Sequence, residues 1–247
     1  MKKILTLALL VLAVGATSAR AQGGLNLNWD SCISDGAVVD KVFACNANTG
    51  AAFGFYASLQ LPTDLTAFAA TSAIVDIGFA SALPAWWQTA TGECRAGSVS
   101  FSADPNVITN NGASSCPDIW GGSAQVLGVF QAQANIHGAN GLRLNGGAAI
   151  PAGTEIPLLG DGTEFIVAKF TINRAKTTGA GNCAGCTDGA CIVLNECWVQ
   201  QPNPNPSYRI TNEQTRRFVT WQGGGGVDCQ TVPTQNRTWG AIKNMYR

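Results

Sequence analysis

Four of the nine cysteines fall in one short, glycine-rich stretch, and they are the side chains best able to carry chemistry in this chain. They are Cys183, Cys186, Cys191 and Cys197. A Cys-x-x-Cys pair followed by two further cysteines offers the ligands that zinc prefers, and thiol–disulfide enzymes use the same pair. A c-type haem would need histidine directly after Cys186, where this chain has Thr187. The third use of such cysteines is as structural disulfides.

The expected location of the protein decides between these uses. Residues 1–21 combine a basic start, an apolar run and a small-x-small ending at Ala21, which is typical of a secretory signal peptide. We therefore expect a secreted, extracellular or periplasmic protein with no transmembrane segment in the mature chain. An oxidising compartment removes the thiolates that zinc needs, and a redox Cys-x-x-Cys normally opens a helix. The sequence therefore predicts disulfides, no metal and no cofactor.

Eight of the nine cysteines are expected to form disulfides, because an odd number leaves at least one out. The eight are Cys32, Cys45, Cys94, Cys116, Cys183, Cys186, Cys191 and Cys229. Cys32 and Cys45 are close enough in sequence to close a small loop. Cys229 is expected to tie the end of the chain back to the cluster, whose internal pairing the sequence leaves open. Cys197 is expected to be the free one, because it lies in a predicted strand.

Two loops are expected to meet through a bond between Cys94 and Cys116, with tryptophans packed beside it. Trp86 and Trp87 lie in the first loop and Trp120 in the second. If exposed, these three would form a platform for sugar rings, as in carbohydrate-binding modules; if buried, they would cap the core. We name them as candidate ligand-binding residues and leave both alternatives open.

No motif predicts catalysis, and we assign no catalytic residue. His137 is the only histidine, and the chain has no nucleophile elbow, metalloprotease motif, phosphate loop or dinucleotide fingerprint. The acids that can be placed lie mostly in turns, and no pair stands out as a glycosidase site. Oxygen ligands around Asp104 and Asp161 would suit calcium, but the same residues also form Asx turns.

The charge balance argues against a nucleic-acid partner. Removing residues 1–21 takes away Lys2, Lys3 and Arg20, three of the 15 basic residues, and none of the 15 acidic ones. The mature chain would then carry a net charge of −3. Neither the sign nor the distribution fits binding to nucleic acid or to an anionic membrane.

Short segments of alternating polarity predict an all-β fold, an antiparallel β-sandwich of jelly-roll or immunoglobulin-like type stapled by disulfides. The predicted strands span residues 25–30, 38–45, 51–61, 69–79, 99–103, 125–136, 164–174, 192–199, 208–212 and 217–222. Helix competes at 125–136, where interior glycine and valines favour strand. Residues 138–153 are expected to be turn-rich, and 164–174 is expected to form a long hairpin with 192–199.

The chain divides into a signal peptide at 1–21, a sandwich domain at 22–222, and a glycine hinge with a tail at 223–247. The tail ends in Thr-Trp-Gly-Ala-Ile-Lys-Asn-Met-Tyr-Arg. With this tail and the cysteine cluster, the chain resembles a group of secreted bacterial proteins that share a Thr-Trp-Gly-x-x-Lys-x-x-Tyr-Arg ending. The resemblance implies a cohesin-like or immunoglobulin-like architecture and no active site.

Three functions follow as hypotheses. The first is a non-enzymatic secreted or cell-surface structural or adhesion protein, whose tail docks to a partner or attaches it to a surface. The second is a carbohydrate-binding module that uses the loop tryptophans. The third is a carboxylate-based hydrolase. The expected partner is thus an extracellular glycan or a surface protein.

Overall fold

The computed structural model describes residues 23–136 and 138–229. Thirteen strands lie in these residues: β1 (Gly24–Trp29), β2 (Asp40–Lys41), β3 (Phe53–Gln60), β4 (Leu65–Phe68), β5 (Ala70–Gly78), β6 (Val99–Ser102), β7 (Leu127–Ala134), β8 (Gly141–Ala149), β9 (Ile156–Leu158), β10 (Glu164–Ile172), β11 (Ala190–Gln200), β12 (Tyr208–Ile210) and β13 (Phe218–Trp221). A one-turn helix, α1 (Pro105–Ile108), and 3₁₀ turns at Ile33–Asp35, Ala85–Trp87 and Gln222–Gly226 complete the elements there.

The strands form two main sheets and a small one. The four-stranded sheet has the order β1-β3-β10-β6, and the seven-stranded sheet has the order β2-β13-β11-β5-β8-β7, with β12 also paired to β11. Strands β4 and β9 pair separately. Every pair is antiparallel except β13 with β2. The predicted all-β fold is therefore confirmed.

The two main sheets pack face to face because their strands alternate in polarity. Phe55 and Phe170 stack at 5.1 Å on the inner face of the four-stranded sheet. Phe130 of β7 reaches across from the other sheet to within 6.3 Å of Phe170. Ile77 and Ile192 belong to the same buried core. Alternate side chains of the facing strands thus meet in the core between the two sheets.

Two sequence predictions about strands are wrong. Residues 138–153, expected to be turn-rich, contain the nine-residue strand β8, which is paired on both sides. Strands β10 and β11, expected to form a hairpin, lie in different sheets. The glycine-rich connection between them carries the chain across the edge of the sandwich.

The two ends of the described chain meet along β1. One edge of β1 pairs with β3, and the other bonds to residues 212–216. The amide of Leu25 donates to the carbonyl of Asn212 at 2.8 Å, and the amide of Gln214 donates to the carbonyl of Leu25 at 3.0 Å. This contact joins the first strand to a segment almost 190 residues later.

The glycine run, expected to be a flexible hinge, packs against the sandwich. Gly225 lies so close to Gly189 that a Cβ added at Gly189 would fall 2.1 Å from the amide nitrogen of Gly225. Three expectations lie outside the described residues: the signal peptide at 1–21, the single histidine at 137, and the tail beyond residue 229.

Candidate functional site

The cysteines form four disulfides: Cys32–Cys116, Cys45–Cys186, Cys94–Cys183 and Cys191–Cys229. The expected pairs Cys32–Cys45 and Cys94–Cys116 are wrong, because each of these residues bonds to a partner at a much greater distance in sequence, between 84 and 141 residues. Cys229 does return to the cluster, through Cys191. Within the cluster no two members pair with each other; each bond fastens it to a different part of the fold.

Cys197 is free and fully buried. Burial raises the pKa of its thiol, and the charge of neighbouring Glu196 raises it further. A thiol held protonated in this way is a poor nucleophile and a poor metal ligand. Cys197 therefore serves the core as a small apolar side chain.

One grouping of potential metal ligands occurs among the described residues, and its contacts make it a structural site. It comprises Cys32, Cys116 and Glu164. The two sulfurs are bonded to each other, so neither is a thiolate. The Glu164 carboxylate accepts from the hydroxyls of Ser34 and Ser58, each at 2.6 Å. It also accepts from the Asn26 amide and from the backbone of residues 33–34.

Trp86, Trp87 and Trp120 are fully buried, so the alternative in which they form an exposed sugar platform is wrong for this structure. The indole nitrogen of Trp86 donates to the hydroxyl of Thr177 at 3.0 Å. The guanidinium of Arg95 lies 3.6 Å from the centre of the Trp86 ring. The tryptophans cap one end of the core, as the second alternative has it.

The two loops considered for calcium form local turns. The Asp104 carboxylate accepts from the amide of Asn106 at 2.9 Å and caps α1. The Asp161 carboxylate accepts from the amide of Thr163 at 3.0 Å. Hydrogen bonds from the side chain and the backbone of Thr163 lower the pKa of Asp161. Both are Asx turns.

The open part of the molecule is the outer face of the seven-stranded sheet, on the side away from the core. Leu127 and Val129 of β7 stand there with about three quarters of their surface exposed. A shallow cavity of about 620 Å³ lies beside Val129. Its outward-facing lining is Ser72, Ile74, Val129, Gln131, Asn145 and Gly147.

Two adjacent glycines in β8 have opposite roles in shaping this cavity. A Cβ on Gly146 would lie 2.3 Å from the ring of Phe101, so close core packing requires glycine there. A Cβ on Gly147 would meet nothing nearer than 3.6 Å, an ordinary contact with Val129. Packing does not require glycine at 147, and its missing side chain leaves the floor of the cavity open.

A second, polar cavity of about 670 Å³ adjoins the first, and Ile74 lines both. Its base is a buried ion pair in which Arg143 donates to Asp76 through Nε at 2.7 Å and through a terminal nitrogen at 2.6 Å. Asn195 donates to the same carboxylate at 2.7 Å. Hydrogen bonding to Asp76, offset in part by burial, raises the pKa of Arg143.

The far rim of this polar cavity is aromatic and charged. Arg209 lies 3.4 Å from the Glu196 carboxylate, and its guanidinium is 5.3 Å from the ring centre of Trp198. Trp198 keeps 36% of its surface exposed. We call the two adjoining cavities together the groove; it crosses β7, β8, β5, β11 and β12, a distance of about 20 Å at the usual strand spacing.

Sequence reasoning missed the groove because it treated residues 138–153 as turn. Without β8 the outward residues of β5 and β7 have no common floor. The available signal was Leu142, Arg143, Leu144 and Asn145, which alternate in polarity before the two glycines. No helix among the described residues is long and apolar enough to cross a membrane.

Comparison with known proteins gives distant structural likenesses. No protein-family model matches the chain, and no curated protein does. A cohesin module from a family 33 glycoside hydrolase of Clostridium perfringens is 7% identical, with 78% of this chain and 98% of that one covered and a TM-score of 0.29. A type III cohesin module from the cellulosomal ScaE cell-surface anchoring scaffoldin of Ruminococcus flavefaciens is 9% identical, with 84% and 91% covered and a TM-score of 0.30. The likeness to cohesin modules is thus weak and assigns neither family nor function.

Proposed function

We propose that this protein is a non-enzymatic exported adhesion module that binds a surface protein through the groove. The observation that carries the proposal is a set of exposed apolar and aromatic side chains in and beside the groove. Leu127, Val129 and Trp198 lie on one face of one sheet, whereas the other five tryptophans of the described residues are fully buried. Grouped exposed apolar side chains of this kind mark interaction sites.

The chemistry of the groove favours a protein over a glycan. Tryptophan and arginine are the residue types most enriched among energetically dominant interface contacts. Arg209 stands over the ring of Trp198, so the ring face that a sugar would stack against already has a cation on it. The aliphatic side chains of Leu127 and Val129 suit an apolar side chain better than a hydroxylated ring.

Export is part of the proposal. It is supported by the expected signal peptide at 1–21 and by four disulfides, which persist in oxidising compartments. The absence of enzymatic activity is proposed because the two buried carboxylates are occupied by structural contacts. Asp76 accepts from Arg143 and Asn195, and Glu164 accepts from five donors in β1, in the 3₁₀ turn at Ile33–Asp35 and in β3.

The experiment measures binding of the labelled mature protein to intact cells of the organism that carries the gene. Val129→Ser and Trp198→Ala should each weaken binding about tenfold, the effect of losing one good apolar contact of about 1.4 kcal/mol. Leu159→Ser is the matched control, because Leu159 is 60% exposed and lies just beyond β9, away from the groove.

The nature of the partner is tested on the same cells. Protease treatment should abolish binding, and mild periodate oxidation of glycans should leave it intact. Binding that survives protease but not periodate would assign a glycan partner and overturn the proposal. Equal losses in Val129→Ser and Leu159→Ser would show that the groove is not the binding surface.

A further inference from the structure

The last described residue is fixed on the outer face of the seven-stranded sheet. Cys229 is bonded to Cys191 of β11. Cys191, Val193 and Cys229 form a small buried cluster, with Phe218 and Val227 packed on it, separate from the main core. Alternate residues of the same strand belong to the main core, so this cluster lies on the opposite face, which is also the face that carries the groove.

We propose that residues 230–247 of the same molecule lie across this outer face and seat Trp239 in the apolar part of the groove. The groove would then be covered by its own chain until a partner displaces the tail. The proposal deepens the proposed function, since it takes the same groove as the binding surface. It rests on where the described chain ends, on the length that follows and on the shape of the groove.

The tail is long enough to make this contact. The row of residues beside Cys191 contains Gly78, and the row at the floor of the groove contains Ser72 and Gly147. Six residues along β5 and two strand spacings separate these rows, which is about 22 Å. Trp239 follows Cys229 by ten residues, which span up to about 33 Å when extended.

The chemistry of the tail fits the apolar part of the groove. Residues 230–247 contain Val232, Trp239, Ile242 and Met245, and no acidic residue. Without acidic side chains, the tail offers no side-chain partner to Arg209 and Arg217 of the polar cavity. The open floor at Gly147, between Val129 and Ser72, offers the space that an aromatic side chain needs.

The tether makes the same chain the favoured occupant. A connection of only about ten residues gives the tail an effective concentration in the millimolar range at the groove. A second copy of the protein, or a separate partner, must bind more tightly than the tail to replace it at ordinary concentrations. A partner's apparent affinity is reduced by the fraction of molecules in which the tail is seated.

The experiment is limited trypsin cleavage of the intact mature protein at the tail residues Arg237 and Lys243. In the wild type this cleavage should be slow. Gly147→Leu fills the floor of the groove, and it is compatible with the fold because a Cβ there meets only ordinary contacts. Gly147→Leu and Trp239→Ala should each speed cleavage about tenfold.

Ser100→Leu is the matched control, because Ser100 is an exposed residue on the other sheet and the change introduces the same side chain. It should leave the cleavage rate unchanged. Urea unfolding of each variant shows that the sandwich is intact, and Trp239→Ala tests the proposal even if Gly147→Leu fails to fold. Equal cleavage rates in the wild type and Trp239→Ala overturn the proposal. Protection that grows with protein concentration overturns it as well, since the tail would then belong to a second copy.

Binding to cells separates this inference from the proposed function. If both hold, Trp239→Ala should bind cells several-fold more tightly than the wild type, because the groove is open. A protected tail together with no cell binding by any variant would support the tail contact and contradict the adhesion function. Strong cell binding with an unprotected tail would support the adhesion function and contradict the tail contact.

Discussion

Cys197 shows how position alone decides what a reactive side chain does. Its sulfur lies in β11 with no exposed surface, while the other eight cysteines are all in disulfides. Its register partners are Ala73 on β5 and Ile210 on β12. Because burial penalises the thiolate, the pKa of Cys197 lies well above its ordinary value of 9.0.

We expect the native protein to show no thiol that reacts with Ellman's reagent at pH 8, and one thiol after unfolding without reductant. The physical reason is that reagent and thiolate are both excluded from the core. The free energy of unfolding should also fall above pH 9, since the unfolded state releases the Cys197 proton there while the native state keeps it. The loss should be about 1.4 kcal/mol at pH 10.

Cys197→Ala provides the comparison for this prediction. The variant should lack the alkaline loss, so its stability difference from the wild type should shrink between pH 8 and pH 10 in urea titrations. A wild type and variant with parallel pH profiles would contradict the assigned pKa direction. A reactive thiol in the native protein would contradict the burial of Cys197.

At the scale of elements, β8 is the strand on which the groove depends, and its two glycines make different demands. We expect Gly146→Ala to destabilise the protein by about 1–3 kcal/mol, because the added methyl group would press on the ring of Phe101. Gly147→Ala should be neutral or stabilising by about 0.5 kcal/mol, since a strand glycine gives up more backbone freedom on folding. Urea unfolding of the two variants side by side measures the difference. Equal stabilities would place the β8 register off by one residue.

The sequence predicts correctly those strands in which apolar and polar side chains alternate clearly. In β3 and β10, large apolar residues alternate with polar ones, and both strands are found within the predicted ranges. In β8 the pattern stops at Gly146 and Gly147, and glycine is required at 146 because the ring of Phe101, from another strand, lies against it. This requirement comes from a tertiary contact, which the local sequence pattern does not contain. The two glycines of β8 therefore led to the prediction of a turn.

The candidate site was out of reach of the sequence for a related cause. A surface platform and a buried cap can both be built from tryptophan, so residue type alone does not separate them. Trp86 is buried against Arg95 and Thr177, and Thr177 lies 91 residues farther along the chain. Trp198 was part of a predicted strand, but its exposure follows from which face of β11 meets the core. A single cysteine pattern likewise cannot specify partners 84 to 141 residues away.

Across the whole molecule, the disulfides join segments that are distant in sequence, and three of them shorten one another's loops. While Cys32–Cys116 and Cys94–Cys183 stay closed, the Cys45–Cys186 bond closes a path of only about 38 residues through the remaining links. The Cys191–Cys229 bond closes a loop with a separation of 38. Replacing either pair by serine should therefore cost about 4 kcal/mol. Urea unfolding at pH 7 without reductant compares the two variants, and clearly unequal losses would show that loop closure is not the main contribution.

The contact between β1 and residues 212–216 has a consequence for the order in which the chain becomes structured. Because the chain is synthesised from its N-terminus, β1 is made first. One edge of β1 nevertheless has no partner until residues 212–216 have been made. Strand β2 likewise waits for β13. The seven-stranded sheet therefore cannot be completed, nor the second edge of β1 covered, on a partly synthesised chain, so the nascent protein keeps open strand edges until β13 has been made.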